Sequence, residues 1–420
     1  MCTDPVSRYL PRYGEPEAAA VPLPGRSYDN AIVIPCYDEH PGCLDAVLDP
    51  VEGFPLAIVV VNAPDDAPAA ALTRTRALWR NLAGETTEAF RWTRTAGGID
   101  VLAIDRASPG RRIPRRQGVG LARKIGADVA CALFSRGTLR SPWLYFTDAD
   151  VRLPPSYLHH PPARPGCLVM PFRHEAAGPL AARAERYELH LRYYVDRLRY
   201  AGSPYAFHTI GSTIAIHAEV YAKVRGIPRR NAGEDFYLLN KAAKVAPVFA
   251  ATCPEIVIRA RLSDRVPFGT GPALRAMGEV TSFASYANES FELLREAVGL
   301  IDHGNSIRPR TRHLLEELGF FHRLERAKAQ YRHPETLRRA MHQWFDAFRT
   351  LRFIHLARRW HPDRPLKSTL DELYGNRDHL SLMKQREQRT NRTFGVQAPD
   401  RRTRAEITSS TRTATSSPAP

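Results

Sequence analysis

The sequence predicts an α/β fold with a mostly parallel sheet flanked by helices. Three observations lead there. Short, continuous apolar runs recur at residues 31–35, 56–61, 101–104 and 143–146. Stretches with helical spacing separate them, and each run gives way to polar or acidic residues. Uninterrupted apolar runs of four to six residues read as strands buried on both faces, which parallel sheets require. Strands alternating with helices imply crossover connections and a doubly wound sheet. Ligands in such sheets bind beyond the carboxyl ends of the strands. The segments there are Cys36-Tyr37-Asp38-Glu39, Asn62-Ala63-Pro64-Asp65-Asp66, Asp105 with the basic stretch 111–116, and Thr147-Asp148-Ala149-Asp150.

The remaining elements follow in order. Residues 1–27 hold five prolines and few periodic apolar positions, so an irregular lead-in is expected. Helices are expected over 67–82 and 117–134, the second with Leu121, Ile125, Val129 and Ala132 at helical spacing. Residues 176–200 read as a long amphipathic helix rich in Arg and Tyr, and 207–217 as a strand interrupted by Gly211. A short helix over 218–224 follows, and Gly233-Glu234-Asp235 opens another over 236–245. Helical periods dominate a region placed at 266–382. From Met383 to Pro420 the polar, Ser/Thr/Arg-rich composition predicts a disordered basic tail.

At 420 residues the chain has room for two or three domains, and a 43% hydrophobic fraction supports a real core. No apolar leader and no apolar run approaching ~18 residues is visible. Six cysteines without a CxxC pair point to neither a disulfide framework nor a zinc ribbon. A cytoplasmic protein is expected. Its 60 Lys+Arg against 44 Asp+Glu leave a net +16, which favours acidic partners. Residues 1–265 carry 34 basic and 27 acidic side chains, and residues 266–420 carry 26 and 17. Most of the excess thus lies in the helical region and tail. It fits peripheral contact with the inner face of a membrane, or an anionic acceptor. No nucleic-acid recognition motif is present, so no nucleic-acid partner is expected.

The sharpest chemical feature is Asp148-Ala149-Asp150. Two carboxylates one residue apart, just past a buried strand, can share a divalent cation such as Mg²⁺ or Mn²⁺ and leave positions open for phosphate oxygens. Such a cation neutralises charge developing on a diphosphate leaving group.

Four segments together resemble the family 2 glycosyltransferases. Ile34-Pro35-Cys36-Tyr37-Asp38-Glu39 is similar to their P-x-Y-N-E opening. Residues 118–126 (GVGLARKIG) are similar to their G-x-x-x-A-R-N-x-G helix. Phe146-Thr147-Asp148-Ala149-Asp150 resembles their DxD strand end, and Gly233-Glu234-Asp235 their later ED element. The resemblance spans about 28–265. It implies a GT-A type fold there and transfer of a sugar from a nucleotide-sugar donor to an acceptor hydroxyl, inverting and dependent on a divalent cation. It further implies that Pro35, Tyr37 and Glu39 line the nucleotide pocket, with Tyr37 near the base. Asp148 and Asp150 would hold the metal and diphosphate, and Arg123 would sit near the donor. Asp235 would be the general base, with Glu234 orienting the acceptor or holding Asp235.

The sequence departs from that pattern at Asn62, where a carboxylate is expected after the second strand; Asp65 is the substitute. Asp38 and Lys124 also stand where Asn is usual, and the Q-x-x-R-W element of processive synthases is missing. Transfer is therefore expected to be non-processive. A sugar-nucleotidyltransferase would need a Gly-rich phosphate loop after the first strand, which residues 35–41 lack. An inactive nucleotide-sugar-binding module is disfavoured by the presence of both acidic motifs. His174, His208 and His217 are expected to be structural, with a third metal ligand as the alternative reading. The charged loop 261–271 either closes over a diphosphate or links two regions.

Overall fold

The computed structural model describes residues 4–87, 89–159, 161–262, 269–277 and 283–394. Two helices come first, α1 (Pro5–Tyr13) and α2 (Pro16–Ala20). The α/β part runs β1 (Ala31–Cys36), α3 (Cys43–Leu48), β2 (Leu56–Asn62), α4 (Ala69–Asn81), β3 (Glu85–Thr87), β4 (Phe90–Arg94), β5 (Asp100–Arg106), α5 (Gly118–Ser135) and β6 (Trp143–Phe146). Then follow β7 (Val151–Arg152), β8 (Cys167–Val169), β9 (Phe172–Glu175), α6 (Pro179–Tyr200), β10 (Ile214–His217), α7 (Ala218–Lys223), α8 (Glu234–Ala242), β11 (Val248–Ala250) and β12 (Ile256–Arg259). The rest is helical: α9 (Thr270–Ala276), α10 (Asn288–His303), α11 (Pro309–Glu317), α12 (Phe320–Gln330), α13 (Pro334–Trp344), α14 (Ala347–Ala357), α15 (Leu366–Tyr374) and α16 (His379–Phe394), with a two-stranded pairing of 284–285 and 364–365.

The nine-stranded sheet has the order β11-β8-β10-β6-β1-β2-β5-β4-β3. All but β4 and β10 run in one direction. Side chains of its central strands alternate between two cores. Val33, Ile58, Val60, Leu102 and Phe146 face α5, while Ile34, Val59, Val61, Ala103 and Tyr145 face α3 and α4. Burial on both faces is why these strands read as unbroken apolar runs. Gly126 lets α5 lie close to the sheet, since a Cβ there would come within 2.5 Å of Val33 Cγ1. A third core fills the helical region and takes Tyr193 and Leu198 from α6.

Chain order reverses between β1 and β6, with β2 and β5 on the far side of β1. This is the switch point at which the carboxyl ends splay apart and a crevice opens. Pro35 marks the place. β6 stops pairing with β1 at Val33, whose carbonyl accepts the Thr147 N–H at 3.1 Å. Two residues on, Pro35 has no N–H to offer on that side, and no strand remains there to receive one.

Two expectations are corrected. Residues 1–27 are not irregular throughout. Pro5 and Pro16 sit at helix starts, where the missing N–H costs nothing, and Asp4 caps α1 by accepting the Ser7 N–H at 3.1 Å. Val6 and Tyr9 of α1 are buried. Nor does the ordered chain stop at Met383: residues 383–394 belong to α16, and residues 395–420 lie outside those described. Among smaller shifts, the 207–217 strand is confined to β10 after a 3₁₀ turn at Gly211–Thr213, and α8 begins at Glu234.

α1 is tied down by buried polar groups on α5. Asp128 is fully enclosed and accepts from Tyr9 at 2.7 Å, Tyr221 at 2.8 Å and the Glu15 N–H at 2.9 Å, while the Lys124 ammonium donates to it at 2.6 Å. Removing one member of a buried pair leaves an unpaired charge, at about 3–5 kcal/mol. Asp128→Ala is therefore expected to lower unfolding stability by about that amount, measured by urea denaturation, whereas Asp29→Ala at the exposed Arg140 pair should change it by less than about 1 kcal/mol.

Candidate active site

The crevice beyond β1 and β6 gathers five carboxyl groups and two guanidinium groups. Arg123, in the second turn of α5, is 6% exposed, and it donates through one nitrogen to Asp148 and through the other to Glu234. Asp148 stands just past β6, and Glu234, 3% exposed, is the first residue of α8. Two glycines allow the approach of α8. Gly118, at φ +37°, and Gly120 leave the first turn of α5 bare, and the segment 228–231 lies directly on it, with Gly120 donating to the Arg230 carbonyl at 2.8 Å. Those two glycines therefore serve a backbone contact. Gly211 backs the guanidinium from the other side, where a Cβ would lie 2.3 Å from one terminal nitrogen. Burial works against the charge on Arg123, and the fields of Asp148, Glu234 and Asp235 outweigh it, raising its pKa.

Asp235 follows in the first turn of α8, partly accessible, and accepts the Phe236 N–H at 2.7 Å. Crowding by protein pushes its carboxyl up to about 7; the neighbouring charge of Glu234 adds to the rise and Arg123 opposes it. Tyr187 of α6 faces this group, and burial together with the Asp235 charge pushes its hydroxyl up to about 12.

The second guanidinium is Arg261, two residues past β12. Pairing of β12 with β7 and the Arg259 N–H on the Asp150 carbonyl at 3.3 Å bring it back to the crevice. There it makes a two-pronged ion pair with Glu39 and reaches Asp150 at 2.9 Å. Tyr37 is half-buried against the core under α3 and α4, and Asp38 turns the chain at φ +60°, a conformation Asp tolerates. Asp38 is fixed by the Arg74 guanidinium at 2.6 Å and donates its N–H to Thr75 at 2.9 Å.

Of the residues expected from sequence, Arg123 joins Asp148 to Glu234, Arg261 joins Glu39 to Asp150, Asp235 follows Glu234 in the chain, and Pro35 and Tyr37 stand at the end of β1 and just past it. Asp65 is different. It is exposed beyond β2, and its carboxylate accepts the Arg115 N–H at 3.0 Å. Asn62, the residue it was expected to replace, is 5% exposed with its carbonyl oxygen unpartnered. His208 faces Glu387 at 3.1 Å, and the His217 ring accepts the Glu219 N–H to cap α7. His174 lies 3.4 Å from Glu188 and 3.4 Å from the Thr270 hydroxyl. Among the loop residues 261–271, positions 263–268 lie outside those described. The cysteine in the pocket segment, Cys36, is fully buried beside Cys43, which together with burial raises its pKa and makes it a poor nucleophile. Sequence reading missed Gly211 as a contact of Arg123, and no local pattern marks it.

The chemistry of the donor set fits a divalent cation. Five carboxyls against two guanidiniums leave an excess of negative charge, and the Asp148 and Asp150 side chains keep 35% and 23% of their surfaces open. Hard oxygen ligands suit Mg²⁺ or Mn²⁺, which take one or two carboxylates and complete their shell with water and phosphate. Among the described residues no group of three or more His, Cys, Asp or Glu side chains is arranged to hold a metal ion, and Asp148 and Asp150 are each ion-paired, with Arg123 and Arg261.

No protein-family model matches the sequence, and no curated protein matches it. Among solved structures, S. aureus TarS 1-349 in complex with UDP-GlcNAc is similar over 66% of this chain and 68% of that chain, at 12% identity and a TM-score of 0.30, a likeness too slight to decide anything about this chain.

Gly211→Ala should displace the Arg123 guanidinium and remove its pull on Asp235. The expected result is an Asp235 carboxyl titrating above about 7 in carbon-detected NMR, against about 7 in the unaltered chain.

Proposed function

We propose that the chain is a divalent-cation-dependent glycosyltransferase that moves a sugar from a nucleotide-sugar donor to an acceptor hydroxyl, non-processively and with inversion. The observation that carries this reading is the buried guanidinium of Arg123, which joins Asp148 to the helix start bearing Glu234 and Asp235. Leaving-group carboxylates and a carboxyl with a raised pKa thereby occupy one crevice, as an in-line displacement at an anomeric carbon needs.

The roles follow from charge and position. Asp148 and Asp150 would hold the cation, which neutralises the diphosphate as it departs. Arg261 is the one cation of the crevice carried at the edge of a loop, and its guanidinium can turn from Glu39 and Asp150 to phosphate oxygens, for which its fork is suited. Pro35 and Tyr37 border the place for the nucleoside. Asp235 takes the proton of the acceptor hydroxyl. A base with a pKa near the working pH combines a useful ionised fraction with real proton affinity. Glu234, paired with Arg123, raises the pKa of the Asp235 carboxyl by its charge.

The sign of the pH dependence follows. Asp235 accepts a proton only when ionised, so transfer should fall as pH drops through about 7, with unit slope, while donor binding persists. Asp235→Asn should cut transfer by about 10²–10⁴-fold and leave nucleoside diphosphate binding intact in a thermal-shift assay. Transfer at an unaltered rate would place the base elsewhere. Asp148→Ala and Asp150→Ala should abolish the stabilisation that Mn²⁺ with a nucleoside diphosphate gives, and unchanged turnover in EDTA would remove the cation from the scheme.

A further inference from the structure

Two arginines stand on the two aspartates of the crevice, and they are held very differently. The Arg123 side chain is 7% exposed; Gly211 backs its guanidinium, and Glu234 accepts from the nitrogen that Asp148 leaves. The Arg261 side chain keeps 34% of its surface and stands two residues past the end of β12. It meets Asp150 at 2.9 Å and donates to both oxygens of Glu39, to one of them at 3.2 Å. The nitrogen that reaches Asp150 is also one of the two that grip Glu39.

A divalent ion that arrives alone at Asp150 therefore meets a carboxylate already bonded to a guanidinium. The two cations compete for the same group, and their like charges repel at close range. Arg261 cannot escape by losing its proton. Burial works against its charge, but Glu39, Asp150 and Asp148 outweigh that and raise its pKa, so it needs an anion wherever it turns. A diphosphate supplies one. Its oxygens suit the planar fork of an arginine, and a Mg²⁺ or Mn²⁺ ion is ordinarily bound by one or two carboxylates together with phosphate oxygens. Of the two guanidiniums, the half-buried one on Asp150 is free to make this exchange; the enclosed one on Asp148 is not.

We propose that Arg261 occupies the cation position of the empty crevice and yields it to a diphosphate, so that the site takes a divalent cation and a nucleoside diphosphate as a pair and resists the free ion. This rests on the reading of Asp148 and Asp150 as cation ligands in glycosyl transfer, and it adds which ligand combination that site selects. The preference is reciprocal by linkage: whatever the diphosphate adds to the affinity for the ion by drawing Arg261 away, the ion adds to the affinity for the diphosphate.

The test uses the full chain and its Arg261→Ala variant. Mn²⁺ binding is followed by electron paramagnetic resonance of the free ion, and binding of UDP, GDP and ADP in EDTA by calorimetry, so that no turnover is needed. Without nucleotide, Arg261→Ala should bind Mn²⁺ about tenfold tighter than the unaltered chain, and adding Asp150→Ala to it should cancel the gain. Without metal, Arg261→Ala should bind the diphosphate that the unaltered chain prefers about tenfold more weakly. A folding defect would weaken both. Arg259→Ala removes an equal charge from an exposed place on β12 and should leave the Mn²⁺ affinity within about twofold, which separates local exclusion from the general field of the chain. Equal or weaker Mn²⁺ binding by Arg261→Ala, a gain that survives Asp150→Ala, an equal gain in Arg259→Ala, or binding of none of the diphosphates without metal overturns the exclusion. If no chain binds Mn²⁺ even with nucleotide present, the cation reading of the site falls and the exclusion with it. Turnover of nucleotide sugars is measured on the same samples. Its absence with the two affinities moving as expected overturns the transfer reading alone.

Discussion

The crevice depends on one buried cation. Arg123 bridges carboxylates from two distant parts of the chain, Asp148 and Glu234, and the protein closes over all but a small part of it. Desolvating a guanidinium is costly, so it is stable only because two carboxylates meet it in a low-dielectric setting. The dependence is mutual. Glu234 is even more deeply buried and has no other cation bonded to it among the described residues, so without Arg123 the start of α8 would carry an unpaired charge into the interior. Three glycines make the geometry feasible: Gly118 and Gly120 for the close approach of 228–231, and Gly211 for the face of the guanidinium. Any side chain at these places would push apart the elements that the ion pairs join.

The same arrangement sets the proton chemistry of Asp235. Burial raises the Asp235 pKa most, the charge of Glu234 adds to the rise, and Arg123 opposes both. With Glu234 between them the outcome is a group near neutrality. Glu234 is thus more than a spacer. It absorbs part of the Arg123 field that would otherwise make Asp235 too weak a base, while its own negative charge favours the protonated form of its neighbour.

Much of this was legible in the sequence, and the gaps have physical causes. The four central strands could be read because burial on both faces leaves an unbroken apolar run, and the α5 pattern because its sheet-facing side repeats at helical spacing. Glu39 and Asp148 could be singled out because they follow apolar strands at places where the fold opens, and Asp235 because its Gly-Glu-Asp segment resembles a family motif. The ion pairs that join these elements could not. Arg123 and Glu234 are 111 residues apart, and Arg261 and Glu39 are 222 apart; nothing local specifies either pairing. The terminal helices were hidden for a different reason. Prolines such as those of residues 1–27 ordinarily interrupt helices, yet Pro5 and Pro16 open them. The polar composition of α16 concealed that its charges are answered inside the fold: Arg386 by Asp196 at 2.9 Å, and Lys384 by Glu188 at 3.2 Å.

Those last contacts bear on why the helical region cannot be a passive appendage. α6 is common property. At its amino-terminal half Tyr187 faces Asp235 and Glu188 accepts the His174 N–H at 2.6 Å; at its carboxyl half Tyr193 and Leu198 belong to the helical core. Arg192, 5% exposed, is bonded to Glu188 at 3.0 Å and to Glu387 of α16. Glu387 is pulled down to about 2, because His208 and Arg192 outweigh the penalty of its burial. A carboxylate so strongly stabilised in its ionised form binds α16 to both α6 and the 205–210 segment across the whole neutral range. The rotation of α6 about its own axis is then fixed from the carboxyl-terminal end of the chain. With it are fixed the position of Tyr187 against the base and the width of a cavity that Leu198 shares with α14.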